Sequence, residues 1–460
     1  MTRPVLQAEG RGAGHHGEIP TRVFPGSRYH ARIAAHVARR LHRPWEWGNG
    51  IVKVVGLFAG IGGLELGLKS AGHTVELVAE NDPVASRVLS RRFPDVVNLG
   101  DVTKIEKLPT SDVLACGFPC QDLSPAGGTA GIHGPKSGLI VGVLQLLRTS
   151  RVKPKWLLFE NVPFLLSLNR GAGMRFLTEQ LEEAGYSWAY RIIDSRAFGL
   201  AQRRRRIFLL ASCVEDPSEF LFTDAGAVRE PSREPDTPCG FYWTEGNRGV
   251  GWAIDATPPL KGTSGVGIAS PPAVWRPFQR DFVTPTIEDA EALQGLRRGW
   301  TAAPKGEMVP ERLRWRLVGN AVSVPSAAWV GRVLDGQTAQ RRPASVVLPS
   351  WHAWPTAAHG RKGQRYKVDV SEWPGRKVYV GLENFLSKGA PRLSLRAASG
   401  FLFRLERSGL RVPQEFKRDL RDFVACQAET DDGWKDQHTD ATDRGAGQPT
   451  GKSSAIGSVS

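Results

Sequence analysis

A cysteine that directly follows a proline is the first residue of this sequence with clear chemical potential. Cys120 lies in the segment ACGFPCQDLS, residues 115–124, after the apolar, β-prone pair Val113 and Leu114 and before a glycine-rich stretch that extends to residue 138. Small neighbours keep a thiol accessible, as a nucleophile requires, whereas a free cysteine is most commonly a buried, structural side chain. Cys116 fits the structural role, and Cys120 is the candidate nucleophile.

An acidic residue at the end of a predicted strand–turn–helix–strand unit is the next candidate. The apolar run Ile51 to Leu57 predicts a strand, Gly60-Ile61-Gly62-Gly63 a turn, and Thr74 to Ala79 a second strand that ends at Glu80. Turn glycines let a ligand approach the backbone, and an acid about 20 residues further on has the spacing of one that binds a ribose hydroxyl. Because position 65 is Glu rather than a third glycine, a tight turn without a ligand is the alternative.

Two more acids follow other predicted strands. Asp101 and Val102 come after a short strand at residues 95–99, and Glu160 follows the strand that begins at Lys155. In an open parallel sheet the carboxyl ends of the strands share one edge, where ligands bind, so these acids and Cys120 are predicted neighbours. For Glu160, a solvated acid in a turn is the alternative.

Four consecutive arginines lead into another predicted strand. They occupy residues 203–206, between Gln202 and the apolar run Ile207 to Ala211. Side chains alternate along a strand, so two of the four would share a face and reach a phosphate or a base edge. A solvated basic face is the alternative.

The chain is long and basic. It has 460 residues, 41% of them hydrophobic, and a net charge of +15. A globular protein of several domains with a nucleic acid partner is expected, although a merely basic protein would carry the same charge. The five cysteines show no disulfide or metal pattern, and no apolar run suits a membrane span or a secretory signal. A cytosolic protein without a metal is therefore predicted.

Composition and periodicity divide the chain into six parts. Residues 51–211 alternate strands and helices, which predicts an α/β fold. The other predicted parts are an N-terminal extension, partly disordered (1–50), an irregular module rich in Pro, Gly, Ser and Trp (212–280), a segment that returns to the first domain (281–334), a basic C-terminal extension (335–426) and a disordered tail (427–460).

Six short motifs occur in a fixed order between residues 51 and 334. They are Phe58-Ala59-Gly60-Ile61-Gly62-Gly63, Gly117-Phe118-Pro119-Cys120-Gln121, Glu160-Asn161-Val162, Gln202-x-Arg204-x-Arg206, Leu293-Gln294-Gly295 and Gly319-Asn320-Ala321-Val322. Together they resemble the motifs of the DNA (cytosine-5)-methyltransferases of bacterial restriction–modification systems, and six in order are far more specific than any one. Ala201, Ala292 and Leu296 stand where that family usually has Pro, Arg and Phe.

The resemblance implies a Rossmann-like sheet for an S-adenosylmethionine-dependent methyltransferase, with residues 212–280 as a smaller, irregular target recognition domain. The implied cofactor is S-adenosylmethionine, bound by Phe58, Gly60, Ile61, Gly62, Gly63, Glu80, Asp101, Val102, Pro119, Leu139, Asn320, Ala321 and Val322. The implied catalytic residues are Cys120, Glu160, Arg204 and Arg206. Cys120 would attack C6 of a flipped cytosine, Glu160 would act at N3, and Arg206, supported by Arg204, would hold O2.

The resemblance also implies partners and a location. Double-stranded DNA is the expected substrate, and a cognate restriction endonuclease acting on the same site is a second expected partner. A monomer in the bacterial cytosol, associated with the nucleoid through DNA, is expected. Two alternatives stay open at this point: a cytosine-5 methyltransferase that acts on RNA, and a non-catalytic homologue that only binds DNA.

Overall fold

A ten-stranded sheet and a separate four-stranded sheet organise the protein. The computed structural model describes residues 52–118, 138–223, 234–245, 249–262, 271–336, 343–349, 352–375 and 377–442. The strands are β1 (Lys53–Leu57), β2 (Thr74–Ala79), β3 (Val97–Asn98), β4 (Val113–Cys116), β5 (Trp156–Asn161), β6 (Ser187–Asp194), β7 (Arg205–Ser212), β8 (Cys239–Phe241), β9 (Ala253–Ile254), β10 (Ala273–Arg276), β11 (Asp281–Val283), β12 (Ser345–Val347), β13 (Ala357–Arg361) and β14 (Gln364–Val368). The large sheet has the order β12-β14-β13-β6-β7-β5-β4-β1-β2-β3, and the small one β11-β10-β8-β9.

Helices follow the strands of the large sheet and return after the small one. They are α1 (Gly63–Ser70), α2 (Pro83–Arg92), α3 (Gly138–Thr149), α4 (Ala172–Glu183), α5 (Pro217–Leu221), α6 (Ile287–Leu293), α7 (Glu311–Asn320), α8 (Val324–Leu334), α9 (Leu395–Arg407) and α10 (Gln414–Thr442). None of those within the described ranges is both long and apolar enough to cross a membrane.

The half of the large sheet that runs from β5 to β3 is parallel. β1 pairs in parallel with β2 and β4, and β4 pairs in parallel with β5. Every residue of β4 and β5 is buried, because helices cover both faces of such a sheet and its central strands read as continuous apolar runs. The carboxyl ends of β1, β2, β4 and β5 therefore meet at one edge. This arrangement confirms the Rossmann-like α/β fold.

The segment predicted as a basic C-terminal extension, residues 335–426, instead adds strands to the large sheet and packs helices against the small one. β13 pairs with β6 and with β14, and β14 pairs with β12, all antiparallel. Trp354, just before β13, packs against Trp188 and Tyr190 of β6 with ring centroids 5.8 and 6.0 Å away. Pairing with β13 removes the exposed edge that β6 would otherwise present. Short strands that pair only with distant residues leave little local pattern in a sequence.

Two C-terminal helices complete the core under the small sheet. Phe401 of α9 and Phe416 of α10 each lie 5.1 Å from the ring of Phe241 in β8. The indole of Trp275 in β10 donates a hydrogen bond to the buried Asp419 of α10 at 3.1 Å. The module predicted at 212–280 thus needs residues 393–423 for its apolar core.

The first part of the tail, residues 427–460, differs from its predicted disorder, because α10 continues to Thr442. The rest of the tail and the N-terminal extension (1–50) lie outside the described residues.

We predict that Phe416→Ala lowers the free energy of unfolding of the module around the small sheet by about 3–5 kcal/mol, because it opens a cavity between α10 and that sheet. Phe416 is fully buried. Phe403→Ala is the matched control, since that ring on α9 is 57% exposed and its loss should change the free energy of unfolding by no more than about 0.5 kcal/mol. Denaturant unfolding followed by tryptophan fluorescence measures both; equal losses would contradict a shared core.

Candidate active site

The glycine-rich turn between β1 and α1 is shaped by positive backbone angles and close packing. Phe58, Gly60 and Gly62 have φ of 57°, 57° and 82°. A Cβ on Gly62 would lie 2.4 Å from the ring of Phe93, and one on Gly63 would lie 2.5 Å from the backbone oxygen of Val322. Only glycine fits at these two positions, because no side chain can be accommodated against a ring or a carbonyl so near.

Some residues of the turn face a cavity, and the others make contacts that fix the conformation of the turn. Phe58 and Gly60 line the cavity. The Ile61 carbonyl instead accepts a hydrogen bond from the indole of Trp300 at 2.9 Å, and Gly62 and Gly63 face the packing contacts just described. Sequence reasoning placed all of these residues at the cofactor and missed Trp300, which no local motif marks.

A cavity of about 590 Å³ opens at the carboxyl edge of the parallel strands. Its volume is within the range that holds a small-molecule ligand. The predicted residues that line it are Phe58, Gly60, Glu80, Asp101, Val102, Leu139, Glu160, Arg204, Arg206, Asn320, Ala321 and Val322. Pro119 and Cys120 lie outside the described residues. Residues at seven different strand or helix ends are thus brought to one site.

Glu80 is held in place by backbone donors and by one amide side chain. Its carboxylate accepts hydrogen bonds from the N–H groups of Gly60 at 2.8 Å and Asp82 at 2.7 Å. The side chain of Asn98 accepts from the Glu80 N–H at 2.9 Å and donates to the Glu80 carbonyl at 3.0 Å. The acid is therefore fixed at the cavity wall, and Asn98 is a positioning residue that sequence reasoning did not single out.

Asp101 is kept ionised at the next strand end. Its Oδ1 accepts hydrogen bonds from the backbone N–H and the hydroxyl of Thr103, at 2.9 and 2.8 Å. These bonds lower the pKa of the Asp101 carboxyl, because donors favour the charged form. A carboxylate in this state is an acceptor for a ligand amino group.

Glu160, the second-last residue of β5, is buried beside an arginine. Its Oε1 lies 3.2 Å from Nε of Arg206. Burial raises the pKa of the Glu160 carboxyl, and the positive charges of Arg206 and Arg204 oppose that rise. The carboxyl is thereby able to hold a proton at a higher pH than an exposed glutamate.

The residue after Glu160 connects the site to the segment with the candidate nucleophile. The Asn161 side chain donates a hydrogen bond to the carbonyl oxygen of Phe118 at 3.0 Å. Phe118 directly precedes Pro119 and Cys120. Asn161 therefore fixes the point from which that segment leaves β4.

Arg204 and Arg206 share a strand face but have different partners. The buried guanidinium of Arg204 donates to the carbonyl oxygens of Leu260 and Gly319, both at 3.2 Å, and of Ala321 at 2.7 Å. Burial lowers the pKa of Arg204 to about 9. Three backbone acceptors make Arg204 a positioning residue, whereas Arg206 lies against Glu160.

Two glutamines join the remaining motifs to the same strand. Gln202 donates to the carbonyl of Leu293 at 2.9 Å and accepts from the N–H of Leu260 at 2.9 Å. Gln294 donates to the carbonyl of Val318 at 2.8 Å. Leu296, where the resembled family usually has Phe, is buried in the core. The motifs that are scattered in the sequence are therefore hydrogen-bonded to one another.

Comparisons with known proteins show which family this chain resembles. Residues 52–234 match the family described as C-5 cytosine-specific DNA methylase. The type II methyltransferase M2.BsuMI of Bacillus subtilis (strain 168) is 47% identical over 379 residues, 80% of this chain and 97% of that protein. M.BanI of Aneurinibacillus aneurinilyticus, also a type II methyltransferase, is 34% identical over 184 residues, 38% of this chain and 42% of its own. The solved structure of Entamoeba histolytica methyltransferase EhMeth covers 63% of this chain and 99% of its own at 14% identity, with a TM-score of 0.47.

We predict that Gly63→Ala lowers the free energy of unfolding by about 1–3 kcal/mol, since the added methyl group overlaps the Val322 carbonyl and pushes α1 from α8. Gly142→Ala in α3 is the matched control, because nothing lies within 4 Å of a Cβ there and alanine should stabilise that helix by up to about 1 kcal/mol. Thermal denaturation compares the two. An unchanged melting temperature for Gly63→Ala would show that the two segments are not packed together.

Proposed function

The chain belongs to the C-5 cytosine-specific DNA methylase family, and we propose that it transfers a methyl group from S-adenosylmethionine to C5 of a cytosine flipped out of a specific duplex DNA sequence. The proposal depends most on the Glu160–Arg206 pair, 3.2 Å apart, on the wall of a cavity that also contains Glu80 and Asp101. A proton-holding acid and a fixed cation are what activation of a cytosine ring needs beside a nucleophile.

The groups that line the cavity suit S-adenosylmethionine. Phe58 offers a ring face for the adenine, Asp101 an acceptor for its amino group, and Glu80 an acceptor for the ribose hydroxyls. The backbone near Gly60 and the side chain of Asn320 would enclose the methionine half. When bound, this cofactor supplies an electrophilic methyl group on a sulfonium.

Catalysis would proceed through a covalent bond from Cys120. Its thiolate adds to C6 of the cytosine, and the electron pair of the C5–C6 bond makes C5 nucleophilic while Glu160 holds a proton at N3. Arg206 would bind O2 and stabilise the same electron-rich ring. After methyl transfer to C5, which would leave S-adenosylhomocysteine, the C5 proton would pass to solvent and the C5–C6 double bond would re-form as the Cys120 thiolate departs. N3 would then return its proton to Glu160. Because these groups must reach the edge and face of the ring, the base has to leave the duplex.

The wider role follows from the type II methyltransferase relatives. We propose that the methyl mark protects host DNA in a restriction–modification system, with a cognate endonuclease that acts on the same site. The enzyme would act as a monomer in the bacterial cytosol, on nucleoid DNA.

We predict that the wild type transfers tritium from labelled S-adenosylmethionine to duplex DNA and that Cys120→Ala reduces the rate by at least about 10³-fold, as expected for a lost nucleophile. Cys213→Ala is the control, because that cysteine is exposed and is not a predicted site residue. Transfer RNA assayed in parallel distinguishes an RNA enzyme. No covalent adduct between the wild type and 5-fluorocytosine DNA, with no labelling of either nucleic acid, would refute the mechanism.

We predict that Glu160→Gln slows methylation by about 10²–10⁴-fold, the usual contribution of a general acid or base. In the wild type, the rate should fall as the pH rises through the raised pKa of Glu160, because the ionised carboxylate no longer carries the proton for N3. The glutamine variant should lack this alkaline decline. Rates measured from pH 5 to 9 test this, with the exposed Glu183→Gln as control; an alkaline decline that persists in Glu160→Gln would assign it to another group.

A further inference from the structure

Glu65 is a buried acid in the cavity wall whose carboxyl has no hydrogen-bond partner in the part of the chain that the structure describes. It lies in the first turn of α1, is fully buried, and neither of its oxygens has a hydrogen-bond partner among the described residues. Buried polar groups are almost always hydrogen-bonded, and leaving a carboxyl without a partner is strongly unfavourable. A residue that is unfavourable for the unliganded fold indicates a group that the ligand satisfies.

The carboxyl occupies space that is free only because residue 56 of β1 is a glycine. A Cβ on Gly56 of β1 would lie 2.2 Å from Oε1 of Glu65. Gly56 pairs with Val78 of β2 and Ala115 of β4, so β1 has a strand on each side. Because Gly56 is the second-last residue of β1, the carboxyl lies near the carboxyl ends of the strands. Glu65 lines the same cavity as Phe58, Gly60 and Glu80.

No cation of the described ranges acts on Glu65 as a counter-ion. Glu80 is the charged group that acts on it, and the nearby thiol of Cys116 is neutral because burial raises its pKa. Burial raises the pKa of Glu65 to about 8, its own backbone N–H opposes that rise, and the charge of Glu80 adds to it. The two acids of this wall differ in one respect: Glu80 accepts backbone N–H groups from two other residues, whereas no other described residue donates to the carboxyl of Glu65.

We propose that Glu65 is the counter-ion for the α-ammonium group of the methionine half of S-adenosylmethionine. The inference depends on the proposed function, since it assigns one end of the same cofactor. An ammonium group brings both the hydrogen-bond donors and the positive charge that the carboxyl lacks. At neutral pH the carboxyl loses its proton to solvent as the ion pair forms, so binding releases a proton.

The test measures binding of three nucleosides to the full chain by calorimetry. S-adenosylmethionine has the ammonium and the sulfonium, S-adenosylhomocysteine has only the ammonium, and 5′-methylthioadenosine has neither. Glu65→Gln should raise the Kd of the first two by about 30-fold or more, the effect of losing one partner of a buried charge pair, and change that of the third less than about twofold. A loss confined to S-adenosylmethionine would assign Glu65 to the sulfonium, and an equal loss for all three would indicate a distorted pocket; either outcome overturns the proposal.

Two further measurements separate this role from a structural one. At pH 7, binding of S-adenosylhomocysteine to the wild type should release about one proton, seen from buffers of different ionisation enthalpy, and the variant should release none; no release by the wild type contradicts the ion pair. Ionising Glu65 opposes folding, so its destabilising effect grows as the pH rises toward 8; Glu65→Gln should therefore melt no lower than the wild type at pH 8.

A second variant displaces the carboxyl without removing it. Gly56→Ala puts a methyl group at Oε1 of Glu65 and should weaken S-adenosylhomocysteine binding while 5′-methylthioadenosine still binds. If the wild type binds none of the three nucleosides, the proposed function fails. If it binds all three and Glu65→Gln binds them equally well, only the role of Glu65 fails.

Discussion

The guanidinium of Arg204 connects three segments that are far apart in the sequence. It donates hydrogen bonds to carbonyl groups of Leu260, Gly319 and Ala321, and Arg204 directly precedes β7, the strand that pairs with β5, in which Glu160 lies. The segment around Leu260, the end of α7 and the residues that lead into β7 are therefore held together by one buried cation. Its removal would leave three buried carbonyl groups without this donor, which is unfavourable.

The acids of the site are tuned by what each one accepts. Asp101 and Glu80 accept backbone N–H groups and are fixed as ligand acceptors. Glu160 is balanced between burial, which favours its protonated form, and two arginines, which oppose it. Glu65 is buried and has no hydrogen-bond partner among the described residues. The four carboxyls at this sheet edge therefore differ in charge state, because the neighbours of each one differ.

The C-terminal segments contribute to the structure around both sheets. The strands from 345 to 368 extend the catalytic sheet beyond β6, and α9 and α10 fill the core of the small sheet. Consequently the module around the small sheet contains residues from separate segments of the chain. Its orientation relative to the cavity depends on residues that lie more than 100 positions after its own strands.

The sequence alone determined the chemistry: motif order identified the family, and strand-end logic placed Glu80, Asp101 and Glu160 at one edge, because local apolar runs and turn glycines encode a parallel sheet. Only the tertiary structure showed that Arg204 donates to three backbone carbonyls, that Asn98 holds the backbone of Glu80 and Trp300 the glycine-rich turn, and that residues 335–426 extend the large sheet and pack helices against the small one. It also showed that neither oxygen of the Glu65 carboxyl has a hydrogen-bond partner among the described residues. These features depend on contacts between distant residues, and a partner that is remote along the chain leaves no periodic signal near either residue.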